Sequence, residues 1–341
     1  MKIGVYNDIL PVYVSSKAPN QHVAVFGMSG TGKSTRIAEM AESAVEEGKM
    51  VIALDLSGAD FTKLENVNYI SALEDGIDIK LLESNNPIYI RHITGIFQGI
   101  FGLGDQQVGT LRVALNFAVE NKKNYPDEMT AIAEGLRLQD TRSADTAYNR
   151  LWGMLSGNII RKSKKQIYKN AINVISFKGL TPQGQREMAE FLISILWLKI
   201  RETGTVSKKM VLIIDEFQNY VRKDSVLLEM LREARKYNVS IIIATQSVED
   251  MSKRVKTAIN QTAVQLFFRV NNSSARKIAE MIDMSRVNEL TVKLKKMHVG
   301  ESIATGDLRI GGKEIDNAVI IKSEYGGTNT SPYKSYLLSG F

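Results

Sequence analysis

Nine consecutive residues, Gly27-Met28-Ser29-Gly30-Thr31-Gly32-Lys33-Ser34-Thr35, constrain this chain more than any other feature. They fit the pattern G-x-x-x-x-G-K-[ST] through Gly27, Gly32, Lys33 and Ser34. Glycines let the backbone curl so that successive N–H groups face inward and form a nest for phosphate oxygens. Ser29, Gly30, Thr31 and Thr35 belong to the same phosphate-binding loop. Lys33 supplies a point charge at the β- and γ-phosphates of a nucleoside triphosphate, and the Ser34 hydroxyl is a ligand for Mg²⁺. The flanks suit the loop. Residues 22–26 are a short β-type run, and residues 35–47 read as a helix whose positive N-terminus would point at the phosphates.

A second apolar run, residues 50–54, follows that helix and ends on Asp55. Strand, helix and strand at this spacing make a βαβ unit, hence a mainly parallel sheet with right-handed crossovers. The pattern then changes. Residues 88–92 read as a short strand and 95–109 as a glycine-dotted run. Residues 111–120, 130–138 and 144–155 have helix-like apolar spacing, so 96–165 reads as a mostly helical insertion. The sheet resumes at 171–177. Residues 185–201, with Trp197, form a long apolar helix. Residues 210–215 form a continuous apolar strand of the kind buried on both faces. A helix at 226–237, a strand at 239–245, strands at 262–270 and 301–305, and a helix at 274–284 complete the pattern. The resulting plan is α/β: a short N-terminal segment 1–20, a nucleotide-binding domain in two parts (21–95 and 166–322) around the insertion 96–165, and a tail 323–341. The tail is rich in Gly, Ser, Thr, Asn and Tyr, which suggests a mobile or partner-ordered end.

The 341 residues suffice for one large domain with an insertion, and 44% hydrophobic with 24% charged residues is ordinary for a globular chain. The longest apolar candidate for a membrane span, residues 191–200, is about half the length a bilayer requires. The N-terminus lacks a signal-peptide pattern, so a cytoplasmic protein without an intrinsic membrane segment is expected. With no cysteine, disulfides and thiolate metal sites are excluded, and three scattered histidines offer no local metal motif. The net charge of +7 permits a polyanionic partner. The densest basic stretch, Arg161-Lys162-Ser163-Lys164-Lys165, is either such a contact or a solvated loop.

Chemistry beyond the loop concentrates in two places. Ile213-Ile214-Asp215-Glu216 is an apolar strand ending in two carboxylates. Asp215 can hold Mg²⁺, and Glu216 can polarise an attacking water. That pairing fits hydrolysis rather than transfer to a bound acceptor. Further on, Gln246 follows a buried strand at the crevice where α/β sheets bind ligands; it can sense a γ-phosphate or the lytic water. Arg235, just before that strand, is either a surface helix residue or an arginine finger.

Together these sites resemble the HerA–FtsK superfamily of RecA-like motor ATPases, which includes HerA translocases, FtsK-type DNA pumps, conjugative transfer ATPases and viral genome-packaging ATPases. The matching stretches are Asn20-Gln21-His22 running into the glycine loop, Ile172 to Ile175, Leu212 to Phe217, Arg232 to Tyr237 followed by Ile241 to Gln246, and Leu294 with Val299-Gly300-Glu301. The resemblance covers about residues 20–305; the helical middle has no matching motif. It implies a RecA-like P-loop NTPase with ATP and Mg²⁺ as cofactors, assembled as a hexameric ring. ATP would lie between subunits, and Arg235 or an arginine from 142–161 would reach a neighbour's γ-phosphate. DNA is the implied polymer, in conjugation, packaging or DNA processing. A protein-moving secretion or assembly ATPase, or a regulatory partner of a nuclease-type effector, are the rival roles. The N-terminal β-barrel usual in HerA proteins, the membrane anchor and winged helix of FtsK pumps, and the membrane helices of coupling proteins have no counterpart. The expectation is a nearly bare motor domain working with a separate effector, nuclease or membrane channel.

Overall fold

The computed structural model describes residues 1–56, 61, 67–157, 159–163, 165–204, 209–219, 225–246 and 252–324. Its strands are β1 (Lys2–Tyr6), β2 (Leu10–Val14), β3 (Val23–Phe26), β4 (Met50–Asp55), β5 (Val67–Ser71), β6 (Ile172–Ser176), β7 (Met210–Ile214), β8 (Val239–Thr245), β9 (Val264–Phe267), β10 (Glu301–Gly306), β11 (Leu308–Ile310), β12 (Lys313–Ile315) and β13 (Val319–Lys322). The α-helices are α1 (Lys33–Glu46), α2 (Pro87–Phe101), α3 (Asp105–Asn121), α4 (Glu128–Arg137), α5 (Arg142–Ser156), α6 (Pro182–Thr203), α7 (Val226–Glu233), α8 (Lys253–Ile259), α9 (Ala275–Ile282) and α10 (Val287–Lys296).

One sheet runs through the molecule in the order β12-β11-β2-β1-β13-β10-β9-β3-β8-β7-β4-β6-β5. From β9 to β5 every pairing is parallel. From β12 to β9 every pairing is antiparallel. The parallel part is the expected RecA-like α/β core. Strands β3, β7 and β8 are buried at every position, which explains their unbroken apolar sequences: helices cover both faces. Two apolar layers result. One contains α1 side chains Ile37 and Met40 against Val25 and Ile213. The other packs Phe97, Phe191 and Trp197 against the opposite face.

One sequence expectation changes. Residues 88–92 are helical, not a strand. The Asn86 side chain accepts the Ile88 N–H and Pro87 occupies the first turn, a strong start signal. Tyr89, Ile90, Ile93, Phe97 and Ile100 are then buried at helical spacing, and Gly102 ends the helix in a left-handed conformation at φ 64°. The run of helices between β5 and β6 therefore begins at Pro87. The short N-terminal segment, residues 1–20, joins the sheet: β1 and β2 form a hairpin that pairs with β13 and β11. Two residues of the basic stretch are engaged within the fold. Arg161 donates to the carbonyls of Leu73 and Glu74, and Lys165 pairs with Asp75 at 2.9 Å; Lys164 and most of the tail, from 325 on, lie outside the described residues.

Candidate nucleotide site

The glycine loop leaves the C-terminal end of β3, where open α/β sheets bind ligands. Its path requires glycine at two positions. Gly27 has φ 155°, and a Cβ there would lie 2.6 Å from the Cβ of Phe268. Gly32 precedes α1 at φ 103°, and a Cβ there would lie 2.8 Å from the Gly300 nitrogen. The loop is fastened on both sides: Met28 N–H donates to the Arg269 carbonyl and Gly300 N–H to the Thr31 carbonyl, each at 3.0 Å. Thr31 Oγ1 and Lys33 Nζ both donate to the Met28 carbonyl, at 2.8 and 3.0 Å. Met28, Ser29 and Gly30 are exposed, whereas Thr31 and Lys33 are buried. Helix α1 carries no acid in its first turn and no side-chain cap. The N–H groups of its first turn favour an anion at the loop.

Strand β8 lies between β3 and β7, so the residues after these three strands converge. Asp215, buried just beyond β7, accepts the Ser34 hydroxyl at 3.4 Å through Oδ2 and the Glu216 N–H at 2.8 Å through Oδ1. Ser34 and Asp215 thus present adjacent oxygen donors, the hard donor type that Mg²⁺ takes alongside water and phosphate. No cluster of three His, Cys, Asp or Glu occurs among the described residues. Glu216 has φ 50°, a left-handed conformation uncommon for a non-glycine residue and one that concentrates at functional sites. Its Oε1 accepts Gln246 Nε2, and its Oε2 accepts Gln218 Nε2. A cleft of about 480 Å³ beside Glu216 includes Lys178 and Arg186. Another cleft, about 900 Å³, lies among α2, α6 and α7 and contains none of the loop residues.

Arg235 stands apart. It lies before β8, at the opposite end of the sheet from the glycine loop, and its Nη1 donates to the Pro19 carbonyl at 3.0 Å. It cannot serve the phosphates bound by its own loop. It lines a cleft of about 460 Å³ with Lys49, Lys209 and Arg309. Nearby His22 is buried; its Nδ1 accepts the Ile241 N–H at 3.0 Å. Burial first, and Arg235 second, push its pKa down to about 4, so it is neutral and structural. Of the other candidate arginines, Arg150 donates to the Gly102 carbonyl and Arg161 to the Glu74 carbonyl, while Arg142 is exposed at the start of α5.

Sequence reasoning missed Gln218 and Arg36. Gln218 sits two residues past Glu216, but nothing in the local pattern separates it from a turn residue. Arg36, fully buried, donates to the carbonyls of Ile3 and Gly300 at 2.5 and 3.0 Å and to Ser323 Oγ at 3.3 Å, and pairs with Glu39 at 3.3 Å. Desolvation lowers its pKa to about 10, against the pull of Glu39 and Glu324. It ties α1 to β1 and to the segment after β13, a role that depends on contacts distant in sequence.

A glycine loop on β3, two carboxylates after β7 and a glutamine after the intervening β8 define a RecA-like P-loop NTPase. Residues 1–303 match the family model for the central domain of helicase HerA, and the chain belongs to that family. It is 21% identical over 321 residues to the DNA double-strand break repair helicase HerA of Sulfolobus acidocaldarius, covering 85% of this chain and 63% of that protein. Its fold matches VirB4 of Thermoanaerobacter pseudethanolicus with a TM-score of 0.68 at 16% identity, over 98% of this chain and 97% of the other. The bacterial conjugative coupling protein TrwB matches in its unbound form with a TM-score of 0.63 at 15% identity, over 94% and 88% of the two chains. TrwB in complex with ADP and Mg²⁺ matches with a TM-score of 0.61 at 13% identity, over 91% and 90%. Among the described residues, no helix is long and apolar enough to cross a membrane.

Proposed function

We propose that the chain is the motor subunit of a cytoplasmic, ring-forming ATPase that translocates DNA. The observation that carries this reading is the Glu216 carboxylate, held by Gln218 and Gln246 beside the glycine loop and Asp215. The loop N–H groups, Lys33 and the α1 N-terminus bind the phosphates of ATP as substrate. Thr35, in the first turn of α1 beside Ser34, adds a hydroxyl to the same anion-binding end. Ser34 and Asp215 would hold Mg²⁺, which when bound would offset phosphate charge. Glu216 takes a proton from water as the water oxygen attacks the γ-phosphorus and the bond to the β-phosphate oxygen breaks, giving ADP and phosphate. Gln246 and Gln218 keep that carboxylate aimed, and Gln246, reaching across from β8, also registers whether the γ-phosphate is present.

The named activity of the HerA relative and the ADP–Mg²⁺ complex of TrwB support this reading. In a hexameric ring, Arg235 of one subunit would serve the ATP of its neighbour, since it lies far from its own loop. A nuclease-type effector or a membrane channel would be the separate partner. The helices from α2 to α5 would act as the inserted subdomain. The test is steady-state ATP hydrolysis with and without duplex DNA. Several-fold stimulation by DNA is expected. Hydrolysis indifferent to DNA but raised by a polypeptide would make protein the polymer, and hydrolysis seen only with an effector would make the chain a switch.

A further inference from the structure

Residues 252–300 carry ten lysines and arginines but three acids. Their net +7 equals that of the whole chain, so the remainder is balanced. Six of the ten bases and all three acids lie on the hairpin α9–α10, a net charge of +3. Its acids are already engaged: Glu280 with Arg276 at 3.4 Å, and Glu289 with Arg286 at 2.8 Å and Lys293 at 3.0 Å. Asp283 accepts Ser285 N–H and Oγ at 2.8 and 2.6 Å. Along α10 the exposed positions 288, 292, 295 and 296 share one helical face. That face presents Lys295 and Lys296, which have no ion-pair partner among the described residues. Arg276 and Lys277 are exposed on α9.

Both ends of the hairpin are stitched to the glycine loop. Arg269, just before it, accepts from Met28 N–H, and Gly300, just after it, donates to Thr31, each at 3.0 Å. Val270 N–H donates to the Leu294 carbonyl at 3.3 Å and closes the hairpin's base. A change in loop conformation would therefore be felt at both roots of the hairpin through these two hydrogen bonds.

We propose that the exposed face of the α9–α10 hairpin grips the phosphate backbone of DNA, and that the glycine loop sets the strength of the grip through the Arg269 and Gly300 contacts. This rests on DNA being the polymer moved. Unpaired cations on a positive surface release counterions from a polyanion, and each phosphate neutralised adds about 0.9 to the slope of log K against log salt on duplex DNA. By linkage, a nucleotide that changes the grip must itself be bound more or less tightly in the presence of DNA.

The experiment measures duplex DNA binding by the full chain across salt concentrations, with ADP and with a non-hydrolysable ATP analogue. The wild-type protein should bind with a steep salt slope and an affinity that differs between the two nucleotides. The variant K295A/K296A, verified as folded by its melting temperature, should lose about 1.8 of that slope, 0.9 per lysine, with a smaller nucleotide effect. A charge-matched variant, K123A/K313A, should behave as wild type. If wild type binds DNA and K295A/K296A keeps the full slope, the hairpin is not the grip, although DNA remains the polymer. If K295A/K296A loses binding to polyglutamate but not to DNA, the face is an acidic-peptide site and the proposal is wrong. If wild type binds no DNA even at low salt, the underlying reading of the polymer fails as well.

Discussion

Gln246 Nε2 donates to Glu216 Oε1, joining the ends of β8 and β7 across the mouth of the nucleotide site. The partner strand supplies the donor, while Gln218 holds the other carboxylate oxygen from the same turn. Both oxygens of one carboxylate are thus oriented by amides from different segments. A group fixed in this way can be aimed without being neutralised.

That arrangement makes Gln246 and Gln218 positioning residues. Substituting either with alanine should lower kcat on the order of 10²-fold, the scale of a misplaced catalytic group, with little change in ATP affinity. In a double-mutant cycle their effects should couple, because both act through one carboxylate. Additive losses would mean that each acts on its own.

Lys33→Ala should abolish ATP binding, because the loop loses the charge it brings to the phosphates. Equilibrium binding of a fluorescent ATP analogue to the folded variant is the check. Wild-type affinity would remove the phosphate-binding assignment.

Arg235→Ala should retain ATP binding and lose hydrolysis, since a finger supplied in trans contributes about 10³ or more in rate. Mixing it with Lys33→Ala should recover part of the activity. Some interfaces would then hold an intact Lys33 facing an intact Arg235. Assembled mixtures without recovery would remove Arg235 from the shared site.

His22 sets a pH dependence of stability. Its folded pKa of about 4 lies below the ordinary 6.5, so the unfolded chain binds the extra proton more readily. The stabilisation is complete above pH 6.5 and is lost as pH falls toward 4. The full loss is about 3 kcal/mol by linkage. Denaturant unfolding across that window should show the slope, and His22→Asn should flatten it. A wild-type curve flat between pH 6.5 and 4 would mean that His22 titrates alike in both states.

Much of the parallel core was legible because its strands are buried on both faces and so read as unbroken apolar runs; residues 239–245 match β8 at both ends. The acid pair Asp215-Glu216 stands out in the sequence for the same reason, since it follows such a run. Helix α2 was not, because Ile88, Tyr89 and Ile90 also suit a strand, and the decisive signals were the cap at Asn86 and Pro87. Strands β11 and β12, of three residues each, form by pairing with one another and with β2, and short segments carry too little periodicity to show. Arg36 and Gln218 were illegible in another way: their roles depend on which distant atoms the fold brings to them.

The most direct test is single-turnover hydrolysis by Glu216→Gln. Glutamine preserves the shape of the side chain and removes its capacity to take a proton. ATP should bind as tightly as to wild type, while the rate of phosphate formation falls by about two orders of magnitude or more, the scale of losing a positioned general base. A variant that binds ATP and cleaves it at the wild-type rate would contradict the account, because the carboxylate held by Gln218 and Gln246 would then not be the group that activates water.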